Sequence, residues 1–307
     1  MAATKATKAA NSASSATKRA IKKTAKKAVA KAATRSKSPV VSKVAKSTPS
    51  KATLLKPKLL KPKLLKPRLH KPRVSAGLLE DVAIASRVLA RHQVLDAFGH
   101  VSARSDRNPD HFVMTRSLAP ELATPADMME FDIDSEAVGG DTRKPFVERY
   151  IHGEIYRTRP EVMAIVHSHA MSVIPFGITG AALRPVYHMG SFLHSGAPVW
   201  DIRDKGGDTD MLVSNRYLGR ALADTLGRCA CALMRGHGFV AVGSSIAEAT
   251  FRAIYTDGNA RIQLQAESLG GPINFLSDAE GRLTTAGNQN AMERPWNLWK
   301  QQAKRKA

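Results

Sequence analysis

The sequence predicts an α/β fold in which helices flank one mixed or antiparallel sheet. Helical and strand-like segments both recur between residues 75 and 307, and several strand-like segments follow one another with no helix between them. The regular strand–helix alternation that would indicate a parallel sheet is missing. About 230 residues in this region suffice for one domain with a substantial core.

The first half of this region contains one long helix and then a series of strands. Apolar residues at helical spacing predict the helix over about residues 78 to 92. Short strands separated by proline-containing loops are predicted within 98–106, 111–117 and 127–134. A helix that carries Glu148 and ends before Pro160 follows, and then comes the β-rich run 162–169.

The second half is richer in helix. Pro175 limits a short helix within 171–179, and residues 197–204 form a strand-like segment. The remaining predicted elements are a helix over 215–227, a strand–turn–strand over 231–243, the longest amphipathic helix over 245–270 and a last helix over 295–307.

The positive charge of the chain belongs to its N-terminal segment. The chain has 47 Lys and Arg against 26 Asp and Glu, but 22 of the basic residues precede Glu80, the first acidic residue. The rest of the chain is therefore close to neutral. Such a lysine-rich segment suits non-specific binding of nucleic acid or another polyanion, and no aromatic residue is present in it to stack on bases. A solvated extension without a partner and an organelle transit peptide remain alternatives.

This basic segment has two parts. Residues 1–53 are mostly Ala, Lys, Ser and Thr, and so few large apolar residues predict disorder. Residues 54–74 repeat a five-residue unit of the LLKPK type, and proline at that interval excludes a continuous helix. We expect a stiff basic linker that leads to a domain over residues 75–307.

Cysteine content and hydropathy indicate a protein of the reducing cytoplasm with no membrane partner. No apolar run has the length needed to span a bilayer. The two cysteines, Cys229 and Cys231, lie two residues apart on a predicted strand, where the geometry for a mutual disulfide is poor. We expect both to be small buried residues.

Three histidines in two distant segments form a candidate metal site. His167 and His169 end a predicted strand, and residues two apart on a strand point to the same face, so both imidazoles can bind one ion. His237 lies between two glycines in the later strand–turn–strand and is a plausible third ligand. Three neutral imidazoles leave a divalent ion with an open position for substrate, as catalytic zinc sites require.

Glu148, the Arg159-Pro160 pair, the His-Ser-His run and the Gly-His-Gly turn resemble the class II aldolase/adducin family in order and spacing. The resemblance covers about residues 78 to 270. It implies a three-layer α/β/α fold, a homotetramer, a catalytic divalent metal on His167, His169 and His237, and Glu148 as the acid/base. Zinc is the expected metal, with manganese, cobalt or iron(II) as alternatives. A histidine at the place of His152 recurs in the family without binding metal, so His152 is expected to support the site.

The sequence departs from the sugar-phosphate aldolases of that family where they hold the phosphate. Those enzymes use glycine turns and several small hydroxyl side chains. This chain instead has a mainly cationic and aromatic set, with one serine, that would suit a planar carboxylate. This expected substrate-binding set is His100, Arg104, Arg116, Ser117 and Phe146. His188 aligns without gaps with the second acid/base of the aldolases, and a shift of one residue would align Tyr187 instead.

These replacements resemble the decarboxylating branch of the family, and they predict a metal-dependent carbon–carbon lyase. The expected reaction is decarboxylation of a carboxylated aromatic, keto or hydroxy acid through a metal-stabilised enolate. Alternatives are an aldolase or epimerase acting on a hydroxy acid or sugar derivative, and an adducin-like binding protein without turnover. Iron-dependent oxygenase chemistry is a more distant alternative.

Overall fold

The structure is a computed structural model that describes residues 69–304. The segment predicted to be disordered, 1–53, and most of the predicted linker lie outside the described residues. The helices are α1 Ala76–Arg91, α2 Arg149–Thr158, α3 Ile174–Ile178, α4 Arg203–Gly206, α5 Arg216–Leu226, α6 Ile246–Ser268, α7 Asp278–Asn290 and α8 Glu293–Lys304. The strands are β1 His100–Arg104, β2 His111–Thr115, β3 Met128–Asp132, β4 Ala164–Ser168, β5 Val199–Trp200, β6 Cys231–Met234 and β7 Gly238–Gly243.

The strands form one seven-stranded sheet in the order β3-β2-β1-β4-β7-β6-β5. Every neighbouring pair is antiparallel except β5 and β6, which are parallel. The prediction of a mixed sheet with flanking helices is therefore confirmed. Strands β4 and β7 lie side by side at the centre, so the segment with the histidine pair and the segment after His237 are direct neighbours.

The two faces of the sheet carry separate cores, because side chains alternate between faces along each strand. On β4, Val166 belongs to a core that also contains residues of α1, α6 and α8, whereas Ile165 faces a core formed with α2 and α5. On β7, Phe239 and Val240 divide in the same way. The result is a layer of helices on each side of the sheet.

Side-chain caps fix where three helices begin. Ser75, Asn215 and Ser245 each accept a hydrogen bond from a backbone amide of the first turn, at the starts of α1, α5 and α6. Such caps satisfy amides that have no partner within the helix. Gly227, with φ of 51°, ends α5.

The structure adds elements that the sequence analysis lacked and shifts one. Helix α7, the short helix α4 and the 3₁₀ segment His188–Ser195 were not predicted. Glu148 was placed within a helix, but it occupies the position just before α2, with φ of −85° and ψ of 18°. Its carboxylate therefore projects from a bend rather than from the helix surface.

The last residues of the predicted linker contact the domain. The amide of Arg73 donates a hydrogen bond of 2.8 Å to Glu130 Oε2, and the amide of His70 donates one of 3.4 Å to Asp141 Oδ2. The predicted boundary at residue 75 thus falls within a segment that is already bound to the body.

Cys229 and Cys231 are both free thiols. Burial raises the pKa of Cys231 to about 12, so its thiol stays neutral at physiological pH. No helix among residues 69–304 combines the length and the apolar character needed to cross a membrane.

Candidate metal centre

Strand pairing brings the distant histidines together. His167, on β4, lies opposite His100 of β1 and Val240 of β7, and His169 follows directly after β4. His237 lies in the turn between β6 and β7. Because β7 runs antiparallel to β4, this turn meets the end of β4 that carries the His-Ser-His run.

The glycines around His237 make this approach possible. Gly236 has φ of 62°, a left-handed conformation that favours glycine. A Cβ atom on Gly238 would overlap the backbone carbonyl of Ser168, the residue that pairs with Phe239 across the two strands. The Gly-His-Gly sequence therefore reflects a close contact between backbones.

The imidazole nitrogens of the three histidines converge. His169 Nε2 lies 3.1 Å from His167 Nε2 and 3.1 Å from His237 Nε2. Glu148 Oε2 is 3.5 Å from His167 Nε2 and 3.6 Å from His237 Nε2. These four side chains form a group in which all the candidate ligand atoms lie within 4.8 Å of one another.

Hydrogen bonds at the far side of two rings fix which nitrogen is free. His167 Nδ1 lies 3.2 Å from the Phe239 carbonyl oxygen, and His169 Nδ1 lies 3.2 Å from both carboxylate oxygens of Asp96. Both partners are acceptors, so each Nδ1 carries the proton and each Nε2 presents a lone pair. Lone pairs 3.1 Å apart repel unless a cation lies between them. Zinc–nitrogen bonds of 2.0–2.1 Å at tetrahedral angles place ligand nitrogens about 3.3 Å apart, so the donor set fits such an ion.

Glu148 is held at both carboxylate oxygens. Oε1 accepts a hydrogen bond of 3.0 Å from the amide of Val213, and Oε2 faces the imidazoles. Burial by itself would raise the pKa of this carboxyl, but the interactions with His167 and His237 outweigh it and lower the pKa. The group is therefore ionised, with one fixed oxygen and one turned toward the cluster.

A cavity of about 340 Å³ opens beside these side chains. Glu148, His169 and His237 form part of its wall. The remaining lining residues are Ala97, Phe98, His100, Ser117, Leu118, Ala119, Lys144, Pro145, Phe146, Val147 and Leu212. The wall is thus mostly apolar, with a few polar groups, as is usual for small-molecule sites.

Three of the predicted substrate-binding residues line this cavity. The rings of His100 and Phe146 contact each other, with centroids 4.6 Å apart. The amide of Ser117 donates a hydrogen bond of 2.8 Å to the Lys144 carbonyl, which joins two loops of the wall.

The structure corrects the expected role of Arg104. Its guanidinium is buried and donates hydrogen bonds to the carbonyl oxygens of Pro109, Tyr156, Arg159 and Val162. These bonds tie β1 to the end of α2, and the residue does not line the cavity. Arg104 is therefore a structural residue rather than a substrate contact.

Arg116 and His188 also lie outside the cavity lining within one chain. Arg116 Nε donates a hydrogen bond of 2.9 Å to Asp127 Oδ1, so its charge is paired with a carboxylate that is not part of the cavity wall. His188 is exposed at the start of the segment 188–195, and its neighbour Tyr187 packs against α6 near Tyr255. In a single chain neither Tyr187 nor His188 joins the group around Glu148.

Lys144 is a cation of the cavity wall that the sequence analysis did not name. It is the one lysine or arginine among the lining residues, and within residues 69–304 its ammonium forms no ion pair. The available signal was its position two residues before Phe146 and four before Glu148, in an irregular segment. The direction of a loop side chain depends on tertiary packing, which the spacing of residues in the sequence does not indicate.

Behind His100 a chain of buried polar groups runs into the core. His100 Nδ1 lies 2.8 Å from His152 Nε2, His152 Nδ1 lies 2.6 Å from Ser102 Oγ, and Ser102 Oγ lies 2.8 Å from the Tyr156 hydroxyl. Burial lowers the pKa of His152 to about 3 and also lowers the pKa of His100. His152 is therefore a neutral support behind His100, and it is not a member of the converging group.

Comparison with known proteins identifies the family of this chain. Residues 80–264, more than half of the chain, match the family model described as the class II aldolase and adducin N-terminal domain. The chain belongs to this family. Its metal-site segments all fall inside the matched range.

Family members named as decarboxylases are among the relatives. The decarboxylase tropJ of Talaromyces stipitatus is 41% identical over 235 residues, which cover 69% of this chain and 88% of that protein. The 3,4-dihydroxyphthalate decarboxylase of Arthrobacter keyseri is 29% identical over 222 residues, covering 67% and 85%. The chain is therefore a lyase of the class II aldolase family.

Solved structures of the family share the fold. An aldolase II superfamily protein from Pseudomonas syringae matches with a TM-score of 0.65 at 22% identity, covering 75% of this chain and 94% of that one. L-fuculose 1-phosphate aldolase from Glaciozyma antarctica matches with a TM-score of 0.62 at 22% identity, covering 74% and 88%. At this identity the likeness establishes the fold alone.

Proposed function

We propose that this lyase is a metal-dependent decarboxylase that removes CO₂ from a carboxylated aromatic acid or from a keto or hydroxy acid. The observation that carries the proposal is the position of Glu148 against the three histidines, in the wall of a cavity that also presents Lys144 and Phe146. The names of the relatives, which include decarboxylases of 3,4-dihydroxyphthalate, support the same reaction.

The groups around the cavity suit a planar acid. The Lys144 ammonium would bind a carboxylate by charge-assisted hydrogen bonds, and the ring of the substrate would lie against Phe146. His100 and Ser117 would contact further oxygens of the substrate. Arg116, which is bound to Asp127, stays outside this set in the proposal.

When held by His167, His169 and His237, a divalent ion, which we propose to be zinc, supplies Lewis-acid stabilisation of the negative charge that develops as the carbon–carbon bond breaks. Manganese, cobalt and iron(II) are the alternatives to zinc, and loading experiments separate them.

Glu148 handles the proton. Its Oε2 takes the proton of a substrate hydroxyl and delivers it to the ring carbon that bears the carboxylate, while Oε1 stays fixed on the Val213 amide. The bond to the carboxylate carbon then breaks and CO₂ leaves, and the electron pair of that bond restores the ring. Solvent returns the missing proton to the hydroxyl oxygen, which balances the reaction.

Two variants of the full-length protein test the assignment. We expect Glu148→Gln to retain metal and to reduce CO₂ release about 100-fold or more, because the acid/base is lost while the shape is kept. We expect His237→Ala to lose metal as well as activity. Metal is measured after loading with zinc, manganese or iron(II), and CO₂ release is measured with 3,4-dihydroxyphthalate and related acids.

The outcomes separate the alternatives. Metal below about one-tenth equivalent per chain after loading would exclude both enzyme mechanisms and favour an adducin-like binding role. Aldehyde release from a hydroxy acid or a sugar phosphate, without CO₂ release from any acid, would show that the protein is an aldolase and not a decarboxylase. An unchanged rate in Glu148→Gln would remove that residue from the mechanism.

We propose further that the chain forms a homotetramer in the cytoplasm and that its N-terminal segment binds polyanions. Exposed apolar side chains near the site, Phe98 at 71% and Met171 at 87% exposure, support association between copies. Light scattering should return four times the mass of one chain, and a monomer would contradict this.

A further inference from the structure

We propose that the buried chain Tyr156–Ser102–His152 fixes His100 as the Nε2–H tautomer, so that His100 presents a hydrogen-bond donor to the cavity. The inference deepens the proposed function, because it states which kind of substrate atom His100 accepts. Its basis is the geometry of four side chains that are almost fully buried. His100 is 2% exposed, Ser102 and His152 are 0% exposed, and Tyr156 is 2% exposed.

The hydrogen bonds of this chain have only two consistent directions. Each imidazole is neutral and carries one proton, so each has one donor nitrogen and one acceptor nitrogen. His152 uses both of its nitrogens, one toward His100 and one toward Ser102. His152 therefore either accepts from Ser102 and donates to His100, or accepts from His100 and donates to Ser102.

The second direction leaves one hydroxyl proton, that of Ser102 or that of Tyr156, without an acceptor. If His100 donated to His152, then His152 would donate to Ser102, and the contact between Ser102 and Tyr156 could use only one of the two hydroxyl protons. If Tyr156 donated to Ser102, the Ser102 proton would need a further acceptor, but within the described part of the chain Ser102 Oγ has only His152 and Tyr156 as partners. If Ser102 donated to Tyr156, the phenol proton would need one, and Ser102 is the one described partner of that hydroxyl.

The groups packed around Tyr156 cannot accept this proton. The Arg104 guanidinium lies over the phenol ring at 4.7 Å and has donors only, and the Phe112 ring centroid lies 5.4 Å away. A buried donor with no partner is strongly unfavourable. In the first direction every proton of the chain has an acceptor, because Tyr156 donates to Ser102, Ser102 to His152 Nδ1, and His152 Nε2 to His100 Nδ1.

The consequence reaches the cavity through His100. Its Nδ1 is occupied as an acceptor, so its proton resides on Nε2, and the residue lines the cavity. A neutral N–H donor at this point favours a substrate oxygen with lone pairs, such as a carboxylate or a phenolate. It disfavours a donor group such as an amine or an ammonium.

The test is the tautomer of His100 in the full-length, zinc-loaded protein. The measurement is ¹⁵N-edited NMR with labelled histidine, in which His100→Gln assigns the signals of this ring. We expect a single Nε2–H form. Because the spectrum is recorded without substrate, it tests the tautomer of His100 even if the protein releases no CO₂.

Variants show whether the buried chain sets the tautomer. Tyr156→Phe is the matched control. Ser102 keeps its hydroxyl, and His152 Nδ1 is then the one acceptor left for its proton within the described part of the chain, so the Nε2–H form should persist. Ser102→Ala removes the group that fixes the direction, and a fraction of His100 should change to the Nδ1–H form, while Ser102→Thr should restore the single form. If half of the molecules change, the apparent Kd for 3,4-dihydroxyphthalate should rise about twofold.

Two results would overturn the inference. One is a wild-type His100 with its proton on Nδ1. The other is a folded Ser102→Ala protein in which His100 stays wholly in the Nε2–H form. Should Ser102→Ala fail to fold, the wild-type spectrum still decides. Loss of CO₂ release in every protein, with the expected tautomers, would instead count against the proposed function alone.

Discussion

Asp96 orients the His169 ring through both carboxylate oxygens, and it also accepts hydrogen bonds from the amides of Phe98 and Gly99. A carboxylate behind a metal-binding imidazole fixes the ring and makes its free nitrogen more basic. Burial by itself would raise the pKa of Asp96, but these bonds and His169 together lower it, so the group is ionised at neutral pH. Support for the metal centre therefore extends to a residue beyond the four converging side chains.

We predict that Asp96→Ala lowers zinc affinity about 10- to 100-fold and leaves the fold intact. The measurement is competition with a chromophoric chelator at pH 7. Asp110→Ala is the control, since Asp110 is also exposed but, unlike Asp96, has no hydrogen bond or ion pair with any of the three histidines in the described part of the chain. Equal affinities of the two variants would show that Asp96 does not act on the metal centre.

Lys144 and Arg116 offer a direct test of which cation binds the substrate carboxylate. A hydrogen bond to a charged group contributes about 1.5–3 kcal/mol, so Lys144→Met should raise KM for a carboxylated substrate roughly 10- to 100-fold. Arg116→Met should change KM little, because that guanidinium is bound to Asp127. KM is measured from initial rates at varied substrate concentration. A larger rise of KM in Arg116→Met than in Lys144→Met would support Arg116 as the carboxylate-binding residue, as the sequence analysis expected.

Side-chain spacing explains which site residues could be predicted. The three histidines could be grouped from the sequence because strand geometry and a glycine turn constrain them, and the structure places them together. Arg104 was misassigned although it shares a strand face with His100, since four residues of strand separate the two by about 13 Å. Lys144 lies in a loop, where sequence spacing does not determine the position of a side chain.

At the scale of elements, the loop of residues 141–147, here called the cavity loop, carries Lys144 and Phe146 to the site. A buried ion pair holds it: Arg143 donates to both oxygens of Asp141 and also to the carbonyls of Ala126 and Met128. The Asp141 and Arg143 side chains are 1% and 9% exposed. The position of Lys144 and Phe146 in the cavity wall therefore depends on this pair.

We predict that Asp141→Asn lowers the free energy of unfolding by about 3 kcal/mol at pH 7, since it leaves a buried guanidinium without its partner. Burial opposes ionisation of Asp141, but Arg143 outweighs it and lowers the pKa below the ordinary value of 3.8. A lowered carboxyl pKa stabilises the fold above pH 3.8, and this contribution disappears as the pH falls through the folded-state pKa.

The difference between wild type and Asp141→Asn in urea titrations should therefore be full at neutral pH and should shrink below about pH 4. A constant difference down to pH 3 would mean that lost packing, rather than lost charge, causes the destabilisation.

Helix α7 shows what element-scale prediction missed. Its sequence is polar and lacks a clear apolar stripe, so periodicity did not reveal it. Ser277 and Glu280 nevertheless form a capping box, in which each side chain accepts from the backbone of the other residue. The Ser-x-x-Glu pattern was therefore the available signal.

At the scale of the whole molecule, charge divides the chain into two parts. Residues 1–68 hold 20 basic and no acidic residues, so their removal reduces the net charge from +21 to +1. We predict that deletion of these residues abolishes retention on immobilised DNA at low salt and leaves CO₂ release unchanged. Retention of the full-length protein should fall steeply as salt rises, because binding releases counterions.

The comparison uses full-length and shortened protein on the same DNA column across a salt gradient. If both elute together, the N-terminal segment does not bind nucleic acid. If the shortened protein loses catalytic activity, the segment contributes to the domain itself, and the contacts of residues 70–73 with the body show where such a contribution would begin.

The fold class was predictable because the apolar residues show both strand-like and helical spacing. These segments do not alternate regularly as strand and helix, as they would in a parallel sheet. The strand order was not, since only the pairing of distant segments places β4 beside both β1 and β7. That pairing brings the histidines together. The histidines themselves could be proposed from the sequence, but the cavity beside them could be identified only from the structure.

The contact between Gly238 and the Ser168 carbonyl bears on how this protein can be engineered. In a library randomised at position 238, active clones should carry the parental residue almost exclusively, although that residue touches neither metal nor substrate. Directed evolution toward new acids would gain more from diversity at Lys144 and Leu212, which line the cavity and lie outside the strand junction.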